Sequence, residues 1–131
     1  MINFLEPWKV FLKNRKEKDK TQVFRAGWVG DYNDANTFLE LLHSEHGIND
    51  SGYNNPRFDV LLRKASLEVD PNKRQSLLEQ AEALMIADYP IIPIYFYTQS
   101  EMMKPYVKGY RQNIMGHLYS KDLKIEASEK Q

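Results

Sequence analysis

The sequence predicts an α/β fold, and three observations carry that reading. Two segments open on proline directly behind a capping residue, Asn55-Pro56 and Asp70-Pro71, and continue with apolar residues at helical spacing. The run Pro90-Ile-Ile-Pro-Ile-Tyr-Phe-Tyr97 is β-rich, apolar and too short for a helix. The run Thr21-Gln-Val-Phe-Arg-Ala-Gly-Trp-Val has the composition of a second strand leading into a turn.

The elements follow in chain order. Asn3 is placed to cap a first helix with Phe4, Leu5, Trp8, Phe11 and Leu12 on one face, Glu6 at the capping-box position and Pro7 in the first turn. The pattern dissolves into the basic run Lys13-Asn-Arg-Lys-Glu-Lys-Asp-Lys20, which reads as a solvated helix end or linker. After the strand at 21–29, Gly27 and Gly30 mark a turn, and a short helix through Phe38, Leu39, Leu41 and Leu42 ends near His43. Residues 46–56 form a polar loop whose Gly, Asn, Asp and Ser suit positive φ and side-chain-to-backbone bonds. Two helices come next, one with Phe58, Leu61, Leu62, Ala65 and Val69 inward, the other with Leu77, Leu78, Ala81, Leu84 and Met85 inward. The strand at 90–97 follows, its prolines restricting where ladder bonds form. Residues 101–105 suit a strand end, Gly109-Tyr and Met115-Gly-His suit turns, residues 118–125 suit a last strand, and 128–131 suit a frayed end.

Composition bounds the function classes. At 131 residues the chain is long enough for a core, and 42% hydrophobic content argues against a disordered tail. Eighteen Lys+Arg balance 18 Asp+Glu, so no whole-domain field points to nucleic acid or anionic lipid. Zero cysteine removes disulfides, Cys-based zinc sites and thiol catalysis. No apolar run approaches the roughly 20 residues of a membrane span. The opening residues lack the basic, apolar and small-residue regions of a signal peptide.

Candidate chemistry is sparse. His43 and His46 lie three apart at a helix end, without a third ligand at supporting spacing, and read as incidental surface histidines, so no metal is expected. No phosphate loop or nucleophile elbow occurs, and nothing near Asp31 and Asp34 supplies a nucleophile; neither an enzyme nor a cofactor is expected. The one dense polar-aromatic cluster is Arg25-Ala-Gly-Trp-Val-Gly-Asp-Tyr32. It reads either as a strand-to-helix turn, with Asp31 as cap and Trp28 as core, or as a ligand-facing corner. In the second reading glycine admits a foreign backbone, Trp28 offers a flat wall, and Asp31 and Arg25 meet opposite ends of a zwitterion.

Five segments occur in a familiar order: Arg25-Ala-Gly-Trp-Val-Gly-Asp-Tyr-Asn-Asp, Tyr53-Asn-Asn-Pro-Arg-Phe-Asp-Val-Leu-Leu, Asp70-Pro-Asn-Lys-Arg-Gln-Ser-Leu-Leu-Glu-Gln-Ala-Glu, Tyr89-Pro-Ile-Ile-Pro-Ile-Tyr-Phe-Tyr and Met103-Lys-Pro-Tyr-Val-Lys-Gly-Tyr. Together they resemble the C-terminal part of the periplasmic oligopeptide-binding proteins, family 5 of the bacterial ABC-transporter solute-binding proteins, in its oligopeptide and murein-peptide group. The resemblance spans residues 8–125. It implies a fragment of a periplasmic-binding-protein type II lobe, a mixed sheet flanked by helices. Residues 1–98 would be the C-terminal portion of the second lobe, and 99–131 a closing tail that returns to the first. The export signal and the N-terminal lobe would lie in the missing part, and the whole protein in the periplasm or on a lipid anchor.

By the same resemblance, Asp31 pairs with a peptide's α-ammonium and Arg25 meets the carboxylate of a short peptide. Gly27 and its neighbours pair with the peptide backbone in β fashion, Trp28 walls a side-chain pocket, and Tyr97 stands near the peptide's start. Trp8, Tyr32 and Tyr95 look like packing. Val29 stands where enteric members carry a disulfide-forming Cys, so that tie is absent. The implied partners are short peptides, the membrane permease of an ABC importer and the missing lobe, with no nucleic acid. Alone, the chain is expected to bind peptide weakly or not at all and to form a homo-oligomer through exposed strand edges. The alternative is a standalone interaction module reusing the same fold piece.

Overall fold

The computed structural model describes residues 7–18, 22–98 and 100–126. Helices α1 (Trp8–Glu17), α2 (Asn36–Leu39), α3 (Pro56–Leu67) and α4 (Pro71–Asp88) are followed by an antiparallel ribbon of β1 (Val107–Lys108) and β2 (Lys124–Ile125). A 3₁₀ turn at Glu40–Leu42 extends α2, and another at Ser120–Asp122 precedes β2.

Local chemistry sets the ends of the two long helices. Asn55 stays extended and its side chain accepts the Arg57 N–H at 3.0 Å, while Pro56 takes the first helical position, where no N–H is needed. Asp70 repeats the device, accepting Asn72 N–H at 2.9 Å and Lys73 N–H at 3.2 Å ahead of Pro71. α3 stops at Leu67, because the residues leading into Asp70-Pro71 must be extended. That stop leaves Val69 outside the helix and 91% exposed, so it does not join the predicted inward face. α4 ends on Tyr89 in the left-handed region, whose N–H still reaches Met85 O at 3.1 Å before Pro90 forbids continuation.

The connection at 68–70 folds α4 back on α3, and their apolar stripes meet. Phe58, Leu62 and Ala65 face Leu78, Ala81 and Met85, with Leu39 and Leu42 completing the cluster and Leu61, Leu77, Leu84 and Tyr53 packed around it. Phe58 is fully buried and receives the Tyr53 ring edge-on at 5.3 Å. The other end of the hairpin is pinned by Asp88, whose Oδ2 accepts from Tyr53 OH at 2.7 Å and Asn55 Nδ2 at 2.6 Å. Burial, then Asp88, pushes the Tyr53 phenol up to about 12. Buried Asp59 accepts from Ser44, N–H at 3.1 Å and hydroxyl at 2.6 Å, which fastens the loop after the 3₁₀ turn to α3.

Elsewhere the sequence-based expectations need correcting. The segments at 22–30 and 90–98 make no sheet pairs among the described residues. A strand is stable only beside another strand, and no neighbour for either is present among the described residues. The apolar run at 90–97 therefore lies open, with Ile94 84% and Phe96 97% exposed. The last strand shortens to β2, and residues 101–104 pair with nothing in the sheet. Pro7 sits just outside α1 rather than in its first turn. The expected cap at Asn3, the apolar Phe4 and Leu5, Glu6 and the frayed end at 128–131 lie outside the described residues. α1 buries no residue fully; Trp8 stacks on Phe11 at 5.4 Å, Phe11 meets Phe24 edge-on at 6.2 Å, and Arg15 pairs with Asp50 at 2.6 Å.

The ribbon turns on Gly109. Its φ is +86°, and a Cβ there would stand 1.9 Å from the Asp122 carbonyl oxygen, so only glycine lets the two chains approach. No helix among the described residues is long and apolar enough to cross a membrane.

Two phenylalanines separate what is core from what is not. Phe58→Ala removes the centre of the helical cluster and should cost about 3–5 kcal/mol in urea unfolding, against under ~0.5 kcal/mol for Phe96→Ala. A large loss at Phe96 would mean that the 90–97 run packs in solution.

Candidate functional site

The candidate corner runs from Arg25 to Thr37, and its two halves differ in how firmly they are held. Upstream, Arg25 and Gly27 are exposed and Trp28 is 41% exposed. A Cβ added to Gly27 would meet nothing within 4 Å, so no close approach inside this chain requires glycine there. Trp28 is not core.

Downstream, the chain is clamped to α2. A Cβ on Gly30 would stand 3.1 Å from Thr37 Cγ2 and 3.2 Å from Phe38 Cζ, tighter than ordinary contact, so glycine at 30 is what lets the loop lie on the helix. The Asp31 N–H donates to Thr37 Oγ1 at 3.2 Å, and Thr37 is fully buried. Tyr32 OH donates to Glu40 Oε1 at 3.1 Å, while Asn36 Nδ2 reaches both Tyr32 OH and Glu40 Oε2 at 3.0 Å. Burial foremost, with the Glu40 carboxylate nearby, raises the Tyr32 phenol above its ordinary range. Tyr32 thus belongs to a polar clasp rather than to apolar packing.

The carboxylate that meets the start of α2 is Asp34, one residue before the Ala35 N-cap, and not Asp31. Asp34 Oδ1 accepts the Asn36 N–H at 2.8 Å. The same carboxylate receives Arg74 of α4 through two bonds, Nη1 to Oδ2 at 2.6 Å and Nη2 to Oδ1 at 3.0 Å. This fork, helped by the Asn36 N–H and opposed by burial, holds the Asp34 carboxyl below the usual carboxylate range. Asp34 and Arg74 lie 40 residues apart, and no local motif announces the pair. The only available hint was Asp34 two residues before Asn36, a spacing common at helix starts.

Asp31 is left with its backbone fixed and its side chain outward. Its carboxylate makes no hydrogen bond or ion pair among the described residues, and neither does the Arg25 guanidinium. Tyr97 is exposed, its ring tilted 30° against Tyr95 at 6.2 Å, so Tyr95 packs on Tyr97 rather than on a core. No hydrogen bond, ion pair or ring contact joins Arg25, Trp28, Asp31 and Tyr97 to one another among the described residues. Each stands open toward solvent.

The histidines serve turns: His43 Nδ1 accepts the Glu45 N–H at 3.2 Å, and His46 Nδ1 the Ile48 N–H at 3.4 Å. Among the described residues no three His, Asp or Glu side chains gather as a metal site.

No family model matches the chain. Individual proteins do. The periplasmic murein peptide-binding protein MppA of Escherichia coli is 42% identical over 108 residues, 82% of this chain and 20% of that protein. The oligopeptide-binding protein OppA of Bacillus subtilis is 39% identical over 113 residues, 86% of this chain and 21% of its own length. A crystal structure of Haemophilus influenzae OppA in complex with RPPGFSPFR superposes with a TM-score of 0.79 at 34% identity, over 92% of this chain and 23% of that one. The chain therefore spans about a fifth of the length of the curated relatives it matches. The α/β class stands on these structural neighbours, which are periplasmic-binding-protein lobes.

Asp34 sets a pH dependence. A carboxyl held below its unfolded value near 3.8 contributes stability that is complete above that value and is lost as pH falls through the folded one. Asp34→Asn keeps a side-chain acceptor for the Asn36 N–H but loses the charged fork, so it should cost about 1 kcal/mol near pH 7 and less near pH 3. Urea unfolding at both pH values checks this; an equal deficit at both would show that the ion pair contributes nothing.

Proposed function

We propose that this chain, a homologue of about one fifth of the periplasmic oligopeptide- and murein-peptide-binding proteins, forms one wall of a peptide-binding cleft. The whole protein would be the solute-binding component of an ABC importer. It would take up short peptides in the periplasm and deliver them to a membrane permease. The observation that carries this reading is the Asp31 carboxylate, outward and unpaired among the described residues on a loop whose backbone is tied down.

A peptide is recognised without regard to sequence through the groups every peptide shares. Its α-ammonium needs a carboxylate that is not already neutralised, and Asp31 supplies one. Its backbone needs an approachable extended partner, and the empty space around Gly27 suits that approach. Its side chains need apolar walls, for which Trp28 and Tyr97 are exposed. Arg25 takes the carboxylate end of a short peptide. Bridging water fills what direct contact leaves, so many side chains are tolerated.

The open runs at 22–30 and 90–98 support the division into lobe and tail. In the whole protein they become strands of the second lobe. Residues 99–131 return toward the first, consistent with a ribbon whose strands, among the described residues, pair only with each other. Closure of two lobes over the ligand would be a hinge motion. Alone, the chain has one wall and exposed apolar edges, which favour pairing between copies.

Grafting the chain in place of the homologous fifth of the E. coli murein peptide-binding protein tests the reading. In calorimetry the graft should bind a free tripeptide, and Asp31→Ala should weaken it roughly tenfold or more. A graft without affinity, or an Asp31→Ala graft with unchanged affinity, contradicts the proposal. The 131-residue chain by itself should show no micromolar binding and should scatter light as a dimer or larger. A monomer that binds at micromolar concentration would show that no second wall is needed.

A further inference from the structure

We infer that Arg74, on α4 and outside the peptide-facing corner, is a positioning residue for the Asp31 carboxylate. This rests on the reading of Asp31 as the ammonium acceptor.

The inference follows from what holds each end of α2. A helix of four residues cannot hold itself, since nucleation costs more than one turn returns. Its C-terminal side is anchored by burial: Leu39 and, through the 3₁₀ turn, Leu42 enter the core. Its N-terminal side carries one buried residue, Thr37, and ahead of it no side chain at 31–36 is buried. There the tie to the helical hairpin is the two-bond fork of Arg74 on Asp34. Asp34 passes that constraint on. Its N–H donates to Tyr32 O at 2.9 Å, its carboxylate accepts the Asn36 N–H at 2.8 Å, and its carbonyl accepts the Thr37 N–H at 3.3 Å. Thr37 then holds the Asp31 N–H.

Immediately upstream, Gly30 lies against Thr37 and Phe38, so that contact too is made to α2. Farther upstream, a Cβ added to Gly27 would meet nothing within 4 Å, and the segment at 22–30 pairs with no strand among the described residues. Asp31 is therefore placed from its C-terminal side, through Thr37, Asp34 and Arg74. A planar guanidinium bound through both nitrogens fixes orientation as well as distance, which a lysine would not. Arg74 also neutralises Asp34, leaving Asp31 as the unpaired carboxylate of the two. An acceptor set in place before the ligand arrives loses less entropy on binding.

The test uses Asp34→Asn combined with Arg74→Met, which keeps a side-chain acceptor for the Asn36 N–H, removes the fork and leaves no second carboxylate. In the 131-residue chain, amide exchange at Asp31 should quicken roughly tenfold relative to the α3 amides. In the graft, the ratio of affinities for a tripeptide with a free and with an acetylated amino terminus should fall roughly tenfold, while affinity for the acetylated peptide holds. Thr37→Val, close in volume but without the oxygen that holds the Asp31 N–H, should act in the same direction in both readouts. Unchanged exchange at Asp31 overturns the inference, as does an unchanged ratio in a graft whose Asp31→Asn variant has lost discrimination. If Asp31→Asn itself leaves the ratio intact, the ammonium reading fails, and amide exchange alone decides what Arg74 does.

Discussion

The Arg74–Asp34 fork joins the two parts of this chain that matter most. On one side stands a helical hairpin with a closed apolar core, and on the other a loop that presents a charged side chain outward. The α3–α4 core would exist without the loop, because Phe58, Leu62, Ala65, Leu78, Ala81 and Met85 bury one another. The loop would have little shape without the hairpin. Its order derives from buried Thr37, from the Tyr32–Asn36–Glu40 clasp and from a two-bond ion pair at 2.6 and 3.0 Å, side chains 27% and 30% exposed, where solvent screening is only partial. Such a pair contributes modest stability, and its larger effect is on orientation.

Much of the helical part was legible in the sequence, for a physical reason. Asn55-Pro56 and Asp70-Pro71 act through atoms two or three residues away, so composition and spacing contain the whole interaction. The same holds for the inward faces of α3 and α4, apart from Val69, whose burial depended on one further helical turn that Asp70-Pro71 forbids. The strands were legible as composition and not as structure. A ladder is a contract between two segments, and the run at 90–97 has its apolar side chains without the neighbours that would cover them.

The site divides the same way. Resemblance pointed to Asp31, Arg25, Gly27, Trp28 and Tyr97, and all five stand open to solvent. What holds Asp31 in place was invisible, since Arg74 lies 43 positions from it by number and reaches it only through Asp34 and Thr37. The plain reading of Asp31 as a helix cap failed in an informative way. Asp34 instead accepts the first N–H of α2, and that leaves Asp31 available.

A structure of the graft with a bound tripeptide bears most directly on the claim that Asp31 receives a peptide's amino terminus. The expected result is the α-ammonium nitrogen at roughly 2.8 Å from an Asp31 carboxylate oxygen, with the Thr37 and Arg74 contacts unchanged. An ammonium group held by another side chain, with Asp31 still facing solvent, would contradict it.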